Sequence, residues 1–490
     1  DERRQRHRRA GRRAADAHRR RVAVHRLRAL FDVVHPASEQ VAGQATDGTV
    51  TDVEQATTAA RRAFDTTDWS RDVEFRHHRL RQLQEALTAE QERLRRIVIT
   101  EVGCPVSVTG SQIESPIAEV GHWAEHGRAF DYLVDTGCTK RRWVRHGARS
   151  SDPVGVVGAI TPWNVPFYLN IAETVPALMA GNTVVLKPAQ LTPWSGTELA
   201  ASSRRRPTSP PGCSTSSPPT PTRWGPRCRP TPGRHDHVHR IDGDRPAIPA
   251  GAPTVKKTLL ELGGKSTHII CDDADFAACL PMAGMMACVM SGQSCILSSR
   301  VLLPRSRYTE GIEVLKTIME NFPVGDPWTP GIMQGPQISE TQRQKTLGLR
   351  TVRRRRRRHP GHRRRHPENL PVGYYVQPTL LSDVDPTSTI AQTEIFGPVI
   401  TVTSYDTDDE AVAIANNTIY GLSGDVSSGS DERALDIALR LRTGSVTTNN
   451  HSFFGITSPF GGTKQSGLGH RNGAEGYREY LNMKTIGVRP

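Results

Sequence analysis

The feature that most restricts the fold is a βαβ pattern in the first half of the chain. Val154–Ile160 and Thr183–Leu186 are continuous apolar runs, which are typical of parallel strands buried on both faces. Between them, Ile171–Ala180 has helical spacing and ends before a Gly-Asn pair, a common helix end. The alternation returns with a strand pattern at Val399–Val402 and a helical pattern at Asp408–Asn416. The sequence therefore predicts an α/β fold with parallel sheets.

Length and cysteine content narrow the class of protein. At 490 residues the chain is long enough for roughly two to four domains. Its eight cysteines include no CxxC pair and no Cys/His group at zinc spacing, so we expect neither a disulfide framework nor a metal site. The sequence has no apolar run of membrane-spanning length and no apolar segment typical of a signal peptide. We therefore expect a cytoplasmic protein with no membrane partner.

Three Arg-rich zones carry the excess positive charge. Residues 1–28 contribute +9, residues 203–246 contribute +6 and residues 353–365 contribute +9, so the rest of the chain carries about −10 within the total of +14. An acidic remainder is typical of a cytosolic enzyme, and we expect no nucleic-acid partner. Binding of nucleic acid by the Arg tracts stays open as an alternative. The zone from Ser202 to Pro249 is rich in Pro, Ser, Thr and Arg, a composition typical of a linker or a disordered segment.

Three residues have chemistry that suits catalysis. Cys295 follows a small Gly-containing segment, where backbone amides can turn towards the sulfur and a substrate oxygen. Glu261 lies among apolar residues before a glycine pair, surroundings that raise a carboxyl pKa and suit a general base. Asn164 follows the first strand, at the end where α/β sheets bind ligands, and its amide can donate to an oxyanion. Taken singly, each is also compatible with an ordinary structural role.

Six motifs occur in one order: ITPWN, VVLKPA, LELGGKS, GQSC, EIFGPV and PFGGTKQSG. This set resembles the aldehyde dehydrogenase superfamily, from about Phe31 to the C-terminus outside the irregular zones. The resemblance implies that Cys295 attacks an aldehyde, while the Asn164 amide and the Cys295 N–H hold the resulting alkoxide. Hydride then passes to NAD(P)+, and Glu261 activates the water that hydrolyses the thioester to a carboxylic acid. Because Glu261 supplies that base, we expect a hydrolytic rather than a CoA-acylating enzyme.

The resemblance also assigns residues to the cofactor. The set is Thr161, Pro162, Trp163, Lys187, Gln190, Gly263, Glu394 and Phe396. Lys187 matches the family lysine at the adenosine ribose, and Glu394 and Phe396 match residues that position the nicotinamide ribose and ring. Gln190 stands where NAD-preferring relatives often have a ribose-binding Glu. Since Gln190 lacks that negative charge, we expect NAD and leave NADP open.

The resemblance places three residues in the aldehyde pocket. Phe454 and Phe460 match pocket-lining aromatic residues, whereas Val165 stands where many relatives have Phe. The smaller side chain predicts a comparatively wide substrate tunnel. No metal is needed for this chemistry.

One family segment is missing. A loop of the form FTGSTxxG is expected between Lys187 and Glu261, and the irregular zone occupies its place. In shifted codon frames, Ser209–Pro232 is compatible with PAGVLNVVTADPDAVGAALSTDP and Arg234–Pro246 with DMITFTGSTATG, both family-like strings. His359–His366 is likewise compatible with TLVTGGG. We hypothesise that the coding sequence contains compensating insertions or deletions, with an inactive remnant of the enzyme as the alternative function.

The resemblance implies a Rossmann-type cofactor domain, an α/β catalytic domain and a small β hairpin for oligomerisation. Residues 1–28 form the Arg-rich opening in this division. Residues 29–133 and 152–263 form the cofactor domain, with residues 203–249 frame-disrupted. Residues 264–465 form the catalytic domain, with residues 352–366 frame-disrupted. Residues 134–151 and 466–490 form the oligomerisation elements, from which a homodimer or homotetramer is expected.

Overall fold

The computed structural model describes residues 29–137, 147–204, 213–215, 235–239, 256–352, 367, 369–451 and 455–487. The strands are β1 (Leu30–His35), β2 (Gln40–Thr46), β3 (Leu133–Gly137), β4 (Gly147–Pro153), β5 (Val156–Ile160), β6 (Thr183–Lys187), β7 (Cys213–Thr215), β8 (His235–His239), β9 (Lys257–Glu261), β10 (Thr267–Ile270), β11 (Arg300–Pro304), β12 (Thr379–Leu381), β13 (Val399–Tyr405), β14 (Ser423–Ser427), β15 (Ser445–Thr448), β16 (Gly467–Leu468) and β17 (Leu481–Gly487). The helices are α1 (Val50–Thr66), α2 (Val73–Ala89), α3 (Gln91–Val102), α4 (Gly110–Ala129), α5 (Pro166–Met179), α6 (Pro193–Arg204), α7 (Phe276–Met286), α8 (Tyr308–Glu320), α9 (Glu340–Val352), α10 (Thr389–Gln392), α11 (Asp408–Asn416), α12 (Asp431–Arg440) and α13 (Gly473–Glu479).

The first six-stranded sheet has the order β16-β9-β8-β5-β6-β7. Its strands are parallel except β16, which pairs antiparallel with β9. The predicted strands are confirmed as β5 and β6, and the predicted helix between them is confirmed as α5. The helix begins earlier than expected, at Pro166, because proline is favoured at the first helical position, where its missing N–H needs no partner. Helix α5 packs on this sheet with α2 and α4 in the largest hydrophobic core.

The zone from Ser202 to Pro249 differs from its predicted character as a linker. Helix α6 continues to Arg204, and the zone contributes the backbone of β7 and β8 to the sheet. Strand β8 lies between β5 and β9 and pairs with both. Composition missed these strands because ladder hydrogen bonds join backbone groups, and neighbouring strands can impose them on a segment with little apolar character.

The second six-stranded sheet has the order β12-β13-β11-β10-β14-β15 and is parallel throughout. Helices α7 and α8 cover one face, and α11 and α12 cover the other. Ile269 and Ile270 of β10 belong to different cores, as expected because successive strand residues point to opposite faces. The predicted strand at Val399 and the predicted helix α11 are confirmed. Together, the two sheets confirm the α/β class.

A separate three-stranded antiparallel sheet has the order β17-β4-β3. Strands β3 and β4 confirm the hairpin predicted near residues 134–151, and the C-terminal strand β17 joins it. Met483 on β17 is 72% exposed and Leu133 on β3 is 66% exposed. The small sheet therefore presents apolar side chains to solvent in the isolated chain.

Candidate active site

Cys295 follows a tight turn that only certain residues can form. Met290, Ser291 and Gly292 all have positive φ angles, of 53°, 61° and 68°. A Cβ on Gly292 would lie 2.3 Å from the carbonyl carbon of Gly397, so glycine is required where the two segments meet. The Ser291 hydroxyl donates to the carbonyl of Gly335 at 2.6 Å. The turn is thus fixed before the chain reaches the cysteine.

The Cys295 side chain is partly exposed and packs against Trp163, Ile338 and Phe396. The Cys295 carbonyl oxygen would lie 2.5 Å from a Cβ on Gly264, so the glycine pair after β9 lets the cysteine loop approach. Burial raises the pKa of the thiol to about 12. The resting sulfur is therefore protonated at neutral pH, and a base must remove its proton before it attacks.

Asn164 is held beside the cysteine loop. It is buried directly after β5, and its Nδ2 donates to the Gln293 carbonyl at 3.0 Å, two residues before Cys295. Gln293 is itself fixed, since its Oε1 accepts from the Ile338 N–H at 2.9 Å. Sequence reasoning missed Gln293, although the GQSC motif contains it, because its role depends on partners far along the chain. The structure therefore brings together the predicted nucleophile and the predicted oxyanion donor.

Glu261 ends strand β9 in a buried position. Among the residues that the structure describes, neither of its carboxylate oxygens has a hydrogen-bond partner. Burial raises the pKa of Glu261 to about 8, while Arg471 lowers it and Glu173 raises it. The shift has the direction predicted for a general base that works near neutral pH. Glu261 also raises the pKa of Cys295 electrostatically, which places the two groups in one electrostatic environment.

Four predicted cofactor residues meet around the glycine pair. The Glu394 carboxylate is buried and accepts from the Gly264 N–H at 2.9 Å. A Cβ on Gly263 would lie 2.3 Å from the same carboxylate, so the loop passes close to it. The Phe396 ring contacts Trp163 edge-to-face, with centroids 5.2 Å apart. A carboxylate and two rings thus lie close to Cys295.

The other predicted cofactor residues follow β5 and β6. Ile160 and Lys187 are register partners at the ends of these strands, and the Thr161 N–H donates to the Lys187 carbonyl at 3.2 Å. Pro162 and Gln190 are partly buried in the loops that follow. A lysine and an amide beyond the carboxyl ends of parallel strands, with the Glu394 carboxylate and an aromatic pair, fit the hydroxyl, phosphate and ring groups of a dinucleotide.

The predicted pocket residues are less closely grouped in the structure. Val165 caps the start of α5 and is partly exposed. Phe460 is buried, and its ring lies 4.8 Å from the Arg471 guanidinium carbon. Phe454 lies outside the described residues.

Sequence reasoning also missed Arg471 and Glu173, which act electrostatically on Glu261. Neither belongs to the motif segments that carried the prediction, and only the folded chain brings them together. Within the described ranges, no group of three or more His, Cys, Asp or Glu residues is arranged to hold a metal ion. No helix in the described part of the chain has the length and apolar character needed to cross a membrane.

Comparison with known proteins identifies the family. The sequence matches the family model described as "Aldehyde dehydrogenase family" over residues 23–213 and 247–486. It is 37% identical to 3-succinoylsemialdehyde-pyridine dehydrogenase from a Pseudomonas species, with 93% of this chain and 94% of the relative aligned. It is 32% identical to geranial dehydrogenase from Castellaniella defragrans, covering 93% and 94%. Matches that cover this much of both chains do not favour the alternative that this protein is an inactive remnant of the enzyme.

Solved structures agree with this result. Aldehyde dehydrogenase C from Pseudomonas syringae, solved as a mutant with NAD+ and octanal, superposes with a TM-score of 0.87 at 32% identity over 94% of this chain and 93% of that one. The aldehyde dehydrogenase of Mycobacterium tuberculosis, solved with NAD+, gives 0.83 at 31% identity over 94% and 95%. The predicted fold is thereby confirmed. This chain belongs to the aldehyde dehydrogenase family and is an NAD(P)-dependent enzyme that oxidises an aldehyde to a carboxylic acid.

Proposed function

We propose that the oxidation proceeds through a covalent bond to Cys295, with Asn164 as the oxyanion donor and Glu261 as the general base. The observation that carries this assignment is the hydrogen bond from Asn164 to Gln293, which fixes an amide beside the cysteine loop. The buried Glu261 carboxylate, with no hydrogen-bond partner among the described residues, supplies a proton acceptor in the same region. Thiol, amide and carboxylate are the three groups that acyl chemistry on a carbonyl requires.

The reaction begins when the Cys295 thiol gives its proton to Glu261, the general base, which passes it on to solvent, and the sulfur bonds to the aldehyde carbon. The carbonyl oxygen then carries the negative charge, and the Asn164 Nδ2 and the Cys295 N–H donate to it. When bound, NAD(P)+ supplies the hydride acceptor for the oxidation, which leaves a thioester on Cys295. Glu261 accepts a proton from a water molecule that attacks this thioester, and the carboxylic acid leaves as the sulfur regains its proton.

We propose that the cofactor binds on the surface formed by Cys295, Asn164 and Glu261 together with the loops that follow β5 and β6. The part of this surface beside Cys295 would be formed by Thr161, Pro162 and Trp163. Lys187 and Gln190 would hold the adenosine ribose, and the buried Glu394 carboxylate would accept from the nicotinamide ribose. Because Gln190 is uncharged, it does not repel a 2′-phosphate, so the two coenzymes are compared by measuring kcat/KM with NAD+ and with NADP+.

The aldehyde would enter past Val165 and Phe460. A valine after Asn164 leaves more room than an aromatic ring, which supports a wide tunnel. A panel of linear, branched and aromatic aldehydes tests this point. The predicted width is contradicted if small aldehydes alone are turned over.

Formation of NADH from NAD+ and an aldehyde panel, with and without CoA, tests the mechanism. We expect turnover without CoA, since Glu261 provides for hydrolysis. Cys295→Ser is expected to lower kcat by at least about 10³-fold, because an unactivated hydroxyl is a far weaker nucleophile. Cys279→Ala, in helix α7, is the matched control and should retain activity. Full activity of Cys295→Ser, or an absolute need for CoA, would refute the assignment.

We further propose the domain division given above and a homodimer or homotetramer built on the small sheet. The exposed apolar residues of its outer strands, Met483 and Leu133, support this, because association would bury them. We place the protein in the cytoplasm, since free thiols, as fit a reducing compartment, are found at Cys104, Cys271, Cys279, Cys288 and Cys295. Size-exclusion chromatography with light scattering tests the assembly, and Met483→Asp should weaken it.

A further inference from the structure

Arg471 is a buried cation that none of the steps above uses. Its side chain is 6% exposed and that of Glu173 only 1%, and the Arg471 Nη1 lies 3.7 Å from the Glu173 Oε1. The guanidinium carbon lies 4.8 Å from the Phe460 ring centre and 5.9 Å from that of Tyr168. The cation is thus held between a carboxylate and two aromatic faces, away from bulk water.

The backbone ties Arg471 to the strand that carries Glu261. Gly467 of β16 is the register partner of Glu261 in β9, and the Leu262 N–H donates to the Ser466 carbonyl at 2.8 Å. Four residues after Gly467, Arg471 exchanges two backbone hydrogen bonds with Phe460, at 2.7 and 2.8 Å. The segment that pairs with the strand of Glu261 therefore also holds the backbone of Arg471 in place.

The charged groups around Arg471 explain why its position matters for Glu261. A buried carboxylate is stable as an anion only when a cation or hydrogen-bond donors compensate for the lost hydration. Glu261 has no such donor among the described residues. The titratable groups that interact electrostatically with Arg471 are Glu261, Glu173, Glu119, Tyr168, Tyr480 and Cys295. One buried cation thus faces several carboxyl groups.

We propose that Arg471 is a positioning residue that provides the counter-charge for the Glu261 base, and that Glu173 shares this charge and so sets how much of it Glu261 receives. The inference rests on the proposed role of Glu261. Arg471 touches neither aldehyde nor cofactor in this scheme; it acts through the ionisation of Glu261.

The electrostatic effects agree in direction with the geometry. Arg471 lowers the pKa of both Glu261 and Cys295, whereas Glu173 raises that of Glu261. Removing the guanidinium should therefore raise the pKa of the base, and removing the charge of Glu173 should lower it. Opposite shifts from two neighbouring residues are not expected from general loss of packing.

The test is the pH profile of kcat for NADH formation in the full-length enzyme. Arg471→Met should move the acid limb to higher pH by on the order of one unit, the size expected for loss of a close opposite charge. Glu173→Gln should move it to lower pH, and Arg471→Lys, which keeps the charge, should restore most of the wild-type profile. Arg76→Gln is the matched control, because Arg76 is also buried and bonds backbone carbonyls of Met179 and Trp69; it should leave the limb in place.

Acid limbs of Arg471→Met and Glu173→Gln that coincide with the wild type would overturn the proposal, as would shifts of both in one direction. If Arg471→Met does not fold, the Lys and Gln variants decide, since a charge-independent role predicts no shift in Glu173→Gln. Glu261→Gln separates this inference from the proposed function. An active Glu261→Gln enzyme refutes the base assignment, whereas an inactive one with unmoved limbs in the other variants refutes the role of Arg471 alone.

Discussion

The buried carboxyl group of Glu261 should make the protein less stable as the pH rises, and Glu261→Gln should remove this effect. The residue is 1% exposed, and burial raises its pKa from 4.5 to about 8. Glutamine has nearly the same shape but does not ionise. The substitution therefore separates the cost of ionisation from the cost of lost packing.

The magnitude follows from proton linkage. Between pH 4.5 and about 8, the folded protein keeps a proton on Glu261 that the unfolded chain releases. The unfolded state binds fewer protons in this window, so the free energy of unfolding falls by about 1.4 kcal/mol per pH unit. At pH 7 the accumulated loss is about 3 kcal/mol, and above the folded pKa it levels off. A buried amide without a partner adds a pH-independent cost of about 1 to 3 kcal/mol to the variant. The change of the stability difference with pH is therefore diagnostic, whereas the constant part of that difference is not.

The assay is the melting temperature of wild type and Glu261→Gln between pH 5.5 and 9. The difference, variant minus wild type, should increase from pH 5.5 to about 8 and then become constant. Glu313→Gln is the control, because Glu313 has 65% of its side chain exposed and should give no such trend. A difference that is independent of pH would refute the view that Glu261 is buried in its protonated form.

Three further predictions concern the site and the gene. Asn164→Ala should lower kcat by about 10²- to 10³-fold in NADH-formation assays, because one oxyanion donor is lost; a change below threefold would contradict its role. Gly264→Ala should lower kcat with little change in NADH binding measured by fluorescence, since its Cβ would lie 2.5 Å from the Cys295 carbonyl oxygen. Resequencing of the gene should show compensating insertions or deletions around the codons for residues 209–246, and codons incompatible with the family-like strings would end that hypothesis.

The regular elements were predictable where the local pattern and the tertiary environment agree. The centre of strand β6, Val184–Leu186, is apolar because α5 covers one face of the strand and α1 covers the other. Helix α11 was predicted with its observed bounds, since Thr407 caps it by accepting from the Glu410 N–H at 3.2 Å and three acidic residues occupy its first turn, where they favour the helix dipole. Local signals of this kind need no knowledge of the rest of the chain.

Strand β8 could not be predicted in this way. Its segment, HDHVH, has no apolar face, and its place in the sheet comes from the ladders of β5 and β9 on either side. The family model likewise gives no match over residues 214–246. Both observations concern the same stretch of sequence. Neither its local composition nor the family pattern indicates a strand there, yet the backbone still completes the sheet.

At the candidate site too, the sequence motifs predict some features, whereas others depend on contacts between distant parts of the chain. Asn164 contacts Gln293 across 129 residues of sequence, Gly264 contacts Glu394 across 130, and Gly263 contacts Ser466 across 203. The motifs identify which side chains take part because their chemistry is local. The properties of those side chains depend on such distant contacts. A glutamate in LELGGKS becomes a base of raised pKa only because the sheet buries it, and the segment that pairs with its strand also carries a buried arginine, Arg471, that opposes this rise. Substitutions at Arg471 and Glu173 should therefore change the pH at which the enzyme works while every motif residue stays in place.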